Sequence, residues 1–447
     1  MSINLGNLEL TLIQKIDSAT SPIDVQTYTK ALEKLRNGNI YTVSTFANLP
    51  PSNASIGKIY YVDDENSVVF ASDLTWITLG SENNFGFGFG QGLYCSLTAT
   101  YNEIASSLVQ EVSYSSNWCC IHAGDLNSYG LKKDGTLWAW GYNAQGRRPS
   151  TSNNETPTRD FTNSTNWCSI AALNTGGSAL KSDGTLWSWG QNGQGESGTN
   201  TSTSCSLPIQ ENTSSTNWSI LSPKGHAAFS NSAIKTDGTL WAWGFNLHAQ
   251  LGDGTDVYRS SPVQEISSST NWCFATLSCW NGSGIKTDGT LWVWGWDTNG
   301  QLGLGVSTGA VQYSSPVQET TSSANWCYVS LGDRNTRAIK TDGTLWGIGL
   351  NSTGQLATGN AFDHSSPVQE ITSSTNWCLS SSVGGASHAL KTDGSLWMWG
   401  CGCKGLLLRP ETTNYSSPIQ DPCSLSWVDI HGLGIWHTQG VISVPYL

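Results

Sequence analysis

The chain has 447 residues with a formal net charge of −12, and only 12% of its residues are charged. Because lysine and arginine are scattered and form no cluster, direct binding to a nucleic-acid backbone or to an anionic membrane surface is not expected. No apolar run approaches the ~20 residues of a membrane-spanning helix. Residues 1–12 lack the basic and apolar regions of a secretory signal, so the sequence predicts a protein made in the cytoplasm.

Residues 1–38 carry two short apolar seams that predict helices. Thr20, Ser21 and Pro22 are typical of a helix start, and Gly38 is typical of a helix end. The first seam would equally fit a strand, because apolar residues also alternate there. Neither seam is long enough to fold alone, so we expect an anchoring or oligomerisation segment that packs on itself, on copies of itself or on a partner. The seam positions are Leu5, Leu8, Leu12 and Ile16, followed by Val25, Tyr28, Leu32 and Leu35.

Residues 39–82 predict a small β module that contains a hairpin with an acidic turn at 63–66. Its expected strands are 40–43, 58–62, 67–70 and 74–79. The stretch that runs from the Leu-Pro-Pro at 49–51 to Trp76 resembles short modules of tailed-bacteriophage fibre and virion proteins. That resemblance implies that the N-terminal region docks the chain to a virus particle.

The remaining residues are dominated by an internal repeat. A segment of the form Asp-Gly-Thr-Leu-Trp-x-Trp-Gly recurs six times, at intervals of 49 to 54 residues. The copies begin at Asp134, Asp183, Asp237, Asp288, Asp342 and Asp393. Asp-Gly is a tight-hairpin signal, and the alternation that follows it predicts a strand whose tryptophans fill a core. A period near 50 residues with short strands is typical of propeller blades.

A seventh unit is expected to be split between the two ends of the repeat region. Residues 85–90 read as a weakened Trp-x-Trp-Gly strand, and residues 427–442 match only the early strands of a repeat. Because pairing the two halves would remove exposed sheet edges, the sequence predicts an all-β fold, a seven-bladed β-propeller over residues 83–447 closed by N- and C-terminal strands. A small helical plus β-hairpin region, residues 1–82, would precede it.

The repeat resembles the regulator-of-chromosome-condensation repeat. The resemblance rests on Trp-Gly at 243–244 with Gln-Leu-Gly at 250–252, and on the same pattern at 294–295 and 301–303. It implies a seven-bladed propeller closed by strands from both ends. It also implies a recognition scaffold, since members of this family include a nucleotide-exchange factor and an inhibitor of β-lactamase.

Residues that could carry chemistry are few. The seven histidines show no metal-ligand spacing, and no nucleotide-binding or nucleophile motif appears in a supporting context. The sequence therefore predicts no catalytic residue, no metal site and no cofactor. The twelve cysteines are expected to be reduced, and the five that directly follow a repeat tryptophan are expected to be small buried side chains.

Aromatic residues outside the repeat register are the candidate contacts for a ligand or partner, since such side chains anchor interfaces and stack on sugars. Each could alternatively cap its own blade. The candidates are Trp280, Trp296, Tyr258, Tyr313, Tyr415 and Trp436, together with Trp76, Phe245 and Phe362.

The leading functional hypothesis is a non-enzymatic virion structural protein, a phage fibre or a capsid or tail decoration protein. Residues 1–82 would bind a virion protein or another copy of the chain, and the propeller would recognise a host-surface glycan or protein. The alternative is an intracellular propeller that acts as a protein–protein interaction module, either an enzyme inhibitor or a nucleotide-exchange factor. A further alternative is a glycan-degrading enzyme, which needs two carboxylates ~5–9.5 Å apart.

Overall fold

The structure is a computed structural model that describes most of the chain after residue 116 and the strands before it. The described residues are 40–43, 59–62, 67–71, 76–80, 83–92, 103–110, 117–124, 127–141, 154–160, 162–174, 176–222, 229–305, 311–383, 385–403, 406–409, 413–422, 425–431 and 437–444. Within these ranges every regular element longer than a turn is a strand, and no helix is long and apolar enough to cross a membrane.

The strands are numbered β1 to β32 along the chain. In order they are β1 (Ile40–Val43), β2 (Ile59–Val62), β3 (Ser67–Ala71), β4 (Trp76–Gly80), β5 (Asn83–Gly92), β6 (Glu103–Gln110), β7 (Trp118–Ala123), β8 (Asn127–Lys132), β9 (Leu137–Gly141), β10 (Asn154–Arg159), β11 (Trp167–Leu173), β12 (Gly176–Lys181), β13 (Leu186–Gly190), β14 (Cys205–Gln210), β15 (Trp218–Leu221), β16 (Ser230–Lys235), β17 (Leu240–Gly244), β18 (Arg259–Gln264), β19 (Trp272–Leu277), β20 (Asn281–Lys286), β21 (Leu291–Asp297), β22 (Val311–Gln318), β23 (Trp326–Leu331), β24 (Asn335–Lys340), β25 (Leu345–Gly349), β26 (His364–Gln369), β27 (Trp377–Val383), β28 (Ala386–Lys391), β29 (Leu396–Gly400), β30 (Tyr415–Gln420), β31 (Trp427–His431) and β32 (His437–Val444). The chain divides into two compact units, one N-terminal and one that comprises residues 86–114 and 118–442.

The N-terminal unit contains a four-stranded sheet of order β1-β2-β3-β4. β1 pairs with β2 in parallel, whereas β2, β3 and β4 form an antiparallel meander. The four predicted strands are therefore present within two residues of their expected bounds. β2 and β3 form the predicted hairpin. The expectation of a partly helical N-terminal region is wrong for the described residues, because their β-branched and aromatic runs pair into this sheet. The predicted seam, with Leu5, Leu8, Leu12, Ile16, Val25, Tyr28, Leu32 and Leu35, lies outside the described residues.

The second unit contains six sheets that are each built from four consecutive antiparallel strands. We number them blades 1 to 6 along the chain, from β7–β10 in blade 1 to β27–β30 in blade 6. In each blade the predicted Asp-Gly turn joins the second strand to the third. In blade 3 the Asp237 carboxylate accepts hydrogen bonds from the backbone nitrogen and the hydroxyl of Thr239, at 3.0 and 2.6 Å. Gly238 has a φ of 77°, and a Cβ there would lie 2.1 Å from the Thr270 carbonyl oxygen, so only glycine fits this turn.

A further four-stranded sheet, the composite sheet, has the order β31-β32-β5-β6 and so joins strands from both ends of the propeller segment. It packs against blade 1, where His122 stacks on His431 with ring centroids 4.0 Å apart, and β31 also contacts β27 of blade 6.

The predicted pairing of the two half-repeats is therefore present. The predicted count of seven blades is corrected to six, since only six sheets are formed by consecutive strands. The composite sheet has no Asp-Gly hairpin between its middle strands, and two separate parts of the chain must meet to form it.

Tryptophan fills the spaces between blades, as predicted. In blade 3, Trp218 begins the first strand and Trp243 lies near the end of the third strand. Both are buried, with ring centroids 6.0 Å apart. Trp241 lies two residues earlier on the same face of the third strand, with its ring centroid 6.3 Å from that of Trp218, and is half-buried. Its indole nitrogen donates to the Thr239 hydroxyl, and the Lys235 ammonium lies 4.3 Å from its ring centroid. This cation–π contact shields the outer indole in each blade.

A buried carboxylate at the end of the fourth strand holds the loop that leads to the next blade. In blade 3 this group is Glu265, which accepts hydrogen bonds from the Trp272 indole nitrogen at 3.1 Å and from the backbone nitrogens of Ser267 and Ser269. Glutamate fills the same place in blades 2, 4 and 5 and contacts the equivalent tryptophan. In blade 1 the residue is Asp160, and neither its Oδ2 atom nor the Trp167 indole nitrogen has a hydrogen-bond partner among the described residues.

Asp160→Glu is therefore expected to stabilise the propeller by about 1–2 kcal/mol, because the longer side chain brings a carboxylate oxygen to the buried Trp167 nitrogen. Chemical unfolding followed by tryptophan fluorescence would measure the gain. The matched reverse change, Glu265→Asp, should cost a similar amount. An Asp160→Glu protein that unfolds at the same or a lower denaturant concentration would contradict this account.

The five repeat cysteines are exposed, so the prediction that they are small buried side chains is wrong. The sheet register shifts between Trp167 and Ser169, and this bulge pushes Cys168 out of the ladder toward solvent. The Cys168 thiol donates to the Leu180 carbonyl oxygen at 3.3 Å. Cys119, Cys273, Cys327 and Cys378 are exposed at the same register position. Cys401 and Cys403 form a disulfide, which also corrects the expectation that every cysteine is reduced.

Cys119 is expected to be the most reactive of the exposed thiols at neutral pH. A hydrogen bond with the Cys120 side chain and the charge of Lys133 lower its pKa to about 6, whereas burial raises the pKa of Cys168 and of its equivalents in blades 4 to 6. Peptide mapping after brief labelling with iodoacetamide at pH 7 should find Cys119 modified about tenfold faster. Cys120→Ala should slow that labelling, and equal rates at all five sites would refute the prediction.

Candidate interaction face of blades 3 to 5

Two loops of every blade emerge at the same end, because the strands are antiparallel. These are the loop between the first and second strands and the loop between the third and fourth strands, and the Asp-Gly turn lies at the opposite end. We call the end of blades 3, 4 and 5 that carries these loops the loop face. Repeat residues form the blade interiors, whereas the loops differ in sequence from blade to blade, so the loop face is where a specific contact can be built.

Aromatic side chains from two blades meet on the loop face. Trp280 and Trp296 of blade 4 have ring centroids 4.8 Å apart, and His248 of blade 3 stacks on Trp296 at 4.9 Å with an angle of 11° between the rings. Phe245 contacts Tyr258 at 5.1 Å and His248 at 5.9 Å. With Phe229, which contacts Phe245, these residues form what we call the aromatic cluster.

Hydrogen bonds from neighbouring loops fix the two tryptophans of the cluster. The Trp280 indole nitrogen donates to the Asp333 carboxylate of blade 5 at 2.8 Å, and the Trp296 backbone nitrogen donates to the Trp280 carbonyl oxygen at 3.0 Å. The Gln301 side chain donates to the Trp296 carbonyl oxygen at 2.7 Å, and Gln250 of blade 3 donates to the Cys279 carbonyl oxygen at 3.1 Å. Gln250 therefore holds the cluster across the boundary between blades 3 and 4, and Gln301 holds Trp296 within blade 4.

The cluster is uncharged at neutral pH. Partial burial lowers the pKa of the His248 imidazole, so the ring that stacks on Trp296 is neutral at pH 7. A neutral imidazole adds an aromatic surface, not a cation, to the site. The His248 backbone nitrogen donates to the Gln250 side-chain oxygen at 3.0 Å, which ties the ring to the same loop.

Exposed apolar side chains lie on the loops of the same face. Leu247, Val257 and Tyr258 of the blade 3 loop are 54%, 56% and 43% exposed, and Phe362 of the blade 5 loop is 75% exposed. The backbone nitrogen of Phe362 donates to the Asn360 side chain at 3.0 Å, which holds the projecting loop. Burial of such side chains by a partner would be favourable at roughly 25 cal/mol per Å².

The unpaired charges of the loop face are mainly negative. Asp256 and Asp363 are exposed and Asp333 is half-buried, and none of them forms an ion pair with a described residue. The Asp253 carboxylate, by contrast, is neutralised by Arg259 at 2.6 Å. Arg334 is the exposed cation nearest in sequence to Asp333. Among the residues that the structure describes, the loop face therefore carries more unpaired carboxylates than unpaired cations.

The remaining predicted contact residues lie elsewhere. Tyr313 and Tyr415 face the final glycine of the third strand in blades 4 and 6, and both are half-buried. Tyr313 packs against the core between blades 4 and 5 and caps its blade. Trp76 begins β4 in the N-terminal sheet, and Trp436 lies outside the described residues. The structure therefore brings together Trp280, Trp296, Tyr258 and Phe245, whereas Tyr313 and Tyr415 pair with the final glycine of the third strand in their own blades.

Sequence reasoning missed His248 and Asp333 as members of this face. His248 takes part in no metal-ligand spacing, and Asp333 belongs to no repeat motif. The available signal was their position in the blade. His248 follows the third strand of blade 3 and Asp333 follows the first strand of blade 5, which are the places that Trp296 and Trp280 occupy in blade 4. Among the residues that the structure describes, no group of three His, Cys, Asp or Glu side chains is arranged to hold a metal ion.

Comparison with known proteins supports the repeat assignment. The family model described as regulator of chromosome condensation (RCC1) repeat matches residues 237–279 and 288–339. The ultraviolet-B receptor UVR8 of Arabidopsis thaliana is 29% identical over 190 residues, which are 42% of each chain. The RCC2 homolog of Xenopus laevis is 31% identical over 134 residues, 30% of this chain and 26% of that one. The chain thus matches less than half the length of these curated relatives.

Solved structures show the same fold. Prp20p of Saccharomyces cerevisiae superposes with a TM-score of 0.72 at 16% identity, covering 83% of this chain and 93% of that chain. Human WBSCR16 superposes with a TM-score of 0.69 at 15% identity, covering 82% of this chain and all of the other. At such low identity the likeness concerns the fold alone.

The relatives contradict the predicted role in a virus particle. The matched proteins named above come from a plant, a frog, a yeast and human, and none is a virion protein. The hypothesis of a phage fibre or decoration protein and its virion location are therefore wrong by these comparisons, and the predicted virion and host-surface glycan partners have no support from them. They also lend no support to the phage-module resemblance of the N-terminal region. The family model thus identifies RCC1 repeats at residues 237–279 and 288–339, within blades 3 to 5, and the described blades share the fold of β-propellers that are built from such repeats.

Proposed function

We propose that the chain is a non-enzymatic protein-interaction module that binds a partner protein through the loop face. The observation that carries this proposal is the aromatic cluster, which includes exposed Tyr258, together with exposed Leu247 and Phe362 on the loops of the same face. Large aromatic residues near the centre of a patch are the usual energetic anchors of protein interfaces. The blades beneath are rigid, so such a surface is pre-organised and loses little entropy on binding.

The charge of the loop face restricts the kind of partner. Among the described residues of the loop face, Asp256, Asp333 and Asp363 are opposed by one exposed cation, Arg334, and the whole chain has a net charge of −12. A partner that presents lysine or arginine side chains beside apolar ones would be complementary to this surface, and electrostatic attraction would speed their association.

Proteins that share the fold bind other proteins. The structure report of Prp20p describes binding to Gsp1p and histones, and a second structure shows Kap60 bound to the same yeast protein. These partners are properties of the yeast protein. They support the general proposal that an RCC1-repeat propeller uses its surface to recognise proteins.

Quantitative affinity purification with loop-face variants tests the proposal. The full chain, the double variant Leu247→Ser/Phe362→Ser and the control Leu207→Ser/Ile209→Ser would be compared for the same co-purifying protein. The control residues are 49% and 44% exposed on the outer strand of blade 2, so both variants remove exposed apolar groups without touching the core. We expect the loop-face variant to lose the partner at least tenfold and the control to retain it. Retention by both variants, or equal loss by both, would overturn the proposal.

A further inference from the structure

The loop after the third strand of blade 6 lacks a hydrogen bond that the same loop makes in blades 2 to 5. Two residues after the final glycine of the third strand, blades 2, 3 and 5 carry an asparagine and blade 4 carries an aspartate. The side-chain oxygen of this residue accepts from the backbone nitrogen five residues further on. In blade 3 the bond joins Asn246 to the Leu251 nitrogen at 2.9 Å. Gly402 occupies this position in blade 6 and has no side chain to make the bond.

A disulfide closes the same loop in blade 6. Cys401 and Cys403 flank Gly402 and are bonded to each other, with Cα atoms 5.3 Å apart. The Cys401 backbone nitrogen donates to the Gly385 carbonyl oxygen at 3.1 Å, and the Cys403 carbonyl oxygen accepts from the Leu406 nitrogen at 3.2 Å. The covalent bond therefore holds the first turn of this loop, at the place where an asparagine or aspartate holds it in blades 2 to 5.

Stability of the fold does not explain this disulfide. A cross-link stabilises a protein mainly by restricting the unfolded chain, and the effect grows with the number of residues in the closed loop. Here the two cysteines are only two positions apart, so the bond restricts the unfolded chain little. Both residues are only half-buried, which leaves the bond open to a thiol from solution. Disulfides that solvent reaches are the labile and regulatory ones, whereas structural disulfides resist reduction.

We propose that Cys401 and Cys403 are a reversible redox site that exchanges with small-molecule thiols such as glutathione, and that the oxidised form clamps the blade 6 loop. The external thiolate attacks one sulfur of the disulfide and forms a mixed disulfide, while the other cysteine leaves as a thiolate and takes a proton from water. A second external thiolate attacks the external sulfur of the mixed disulfide, which releases and protonates the first cysteine. Two external thiols are thereby oxidised to one disulfide, and the protein gains two electrons and two protons.

Only Gly402 separates the two thiols of the reduced form, so they stay close together and an external disulfide can oxidise them again. The reduced loop has neither the disulfide nor the asparagine of the other blades at its first turn. Its far end is held independently, because the buried His388 ring donates to the Leu406 carbonyl oxygen at 2.8 Å. Reduction should therefore loosen the first turn of the loop and leave the strands of blade 6 folded.

Redox titration of the folded full chain tests the exchange. The protein is equilibrated with mixtures of reduced and oxidised glutathione, quenched with acid, alkylated and digested with trypsin. Residues 392–404 form one tryptic peptide that contains both cysteines, so its mass distinguishes the disulfide from the dithiol. We expect the pair to change from mostly oxidised to mostly reduced over about a hundredfold change in the ratio of squared reduced to oxidised glutathione, without unfolding. A pair that stays oxidised in excess reduced glutathione until the chain is unfolded would overturn the proposal, and so would two free thiols at every ratio.

Amide hydrogen exchange tests the clamp. The Leu406 amide should exchange at least about tenfold faster after reduction, because its acceptor is the Cys403 carbonyl oxygen. The Leu251 amide of blade 3, which Asn246 holds, is the internal control and should not change. The variant Cys401→Ser/Cys403→Ser should show the fast exchange at Leu406 in either buffer. Unchanged exchange at Leu406 on reduction would contradict the clamp, and equal acceleration at Leu251 would also do so, because the effect would then not belong to the blade 6 loop.

Discussion

Replacing Glu265 by alanine is expected to destabilise the propeller by about 3–5 kcal/mol, since the buried carboxylate accepts four hydrogen bonds that would lose their acceptor. The donors are the Ser267 backbone nitrogen at 2.7 Å, the Ser267 hydroxyl at 2.8 Å, the Ser269 backbone nitrogen at 2.8 Å and the Trp272 indole nitrogen at 3.1 Å. Glu265 is 1% exposed, so water cannot replace it without opening the loop between blades 3 and 4. Guanidinium unfolding of the full chain, followed by tryptophan fluorescence, measures the loss.

Glu265→Gln is the matched control for this change. Glutamine keeps one acceptor oxygen for Ser269 and Trp272 but loses the one that serves the Ser267 nitrogen, so it should cost about half as much as alanine. If both variants lie within about 1 kcal/mol of the unaltered protein, the carboxylate does not hold the loop and the account of blade connection fails.

Acidification is expected to destabilise the protein through its buried histidines, and His388 should contribute most clearly. The ring is fully buried, donates from Nε2 to the Leu406 carbonyl oxygen at 2.8 Å, and faces the Thr438 hydroxyl at Nδ1. Burial lowers its pKa from 6.5 to about 4. The unfolded chain therefore binds a proton at a pH where the folded chain does not, so stability falls as pH drops from about 6.5 to 4. At 1.36 kcal/mol per pKa unit the loss from this ring amounts to about 3 kcal/mol.

His388→Ser isolates this contribution, because serine is the residue at the same strand position of blades 2, 3 and 4. The variant should be less stable than the unaltered protein at pH 7.5, since the Leu406 carbonyl loses its donor. The gap should shrink by about 2 kcal/mol at pH 5, where the histidine itself becomes unfavourable. Urea unfolding at both pH values measures the gap. His122, whose pKa is also lowered, and Asp429, whose pKa is raised to about 7, affect both proteins alike. A gap that stays constant with pH would contradict the prediction.

The blades could be predicted in detail because their determinants are local in sequence. Asp237, Gly238 and Thr239 satisfy one another's hydrogen bonds within a single turn, so the same turn forms wherever the motif recurs. The alternation after the turn then decides which tryptophan faces the core. The exposure of Cys168 could not be predicted this way, since it depends on a bulge that exists only once β11 has paired with β12.

The loop face was predictable only in part. Trp280, Trp296 and Tyr258 stood out because they break the repeat register, but so did Tyr313, which packs into its own blade. What separates these cases is contact between residues of different blades, such as the stacking of His248 on Trp296 and the hydrogen bond from Trp280 to Asp333. These partners are 48 and 53 residues apart in the chain, and no local pattern specifies their meeting.

The sequence by itself determined the repeat, its strands, its turns and its tryptophan core, because each depends on hydrogen bonds and side-chain alternation over a few neighbouring residues. It also indicated that strands from the two ends of the repeat region meet. Only the tertiary structure decided that six blades form from consecutive strands beside a composite sheet. It alone decided that aromatic residues of blades 3 and 4 converge on one face. These features arise from packing between segments that are distant in the chain. The residues next to a side chain in the sequence therefore do not specify which residues it contacts in the fold.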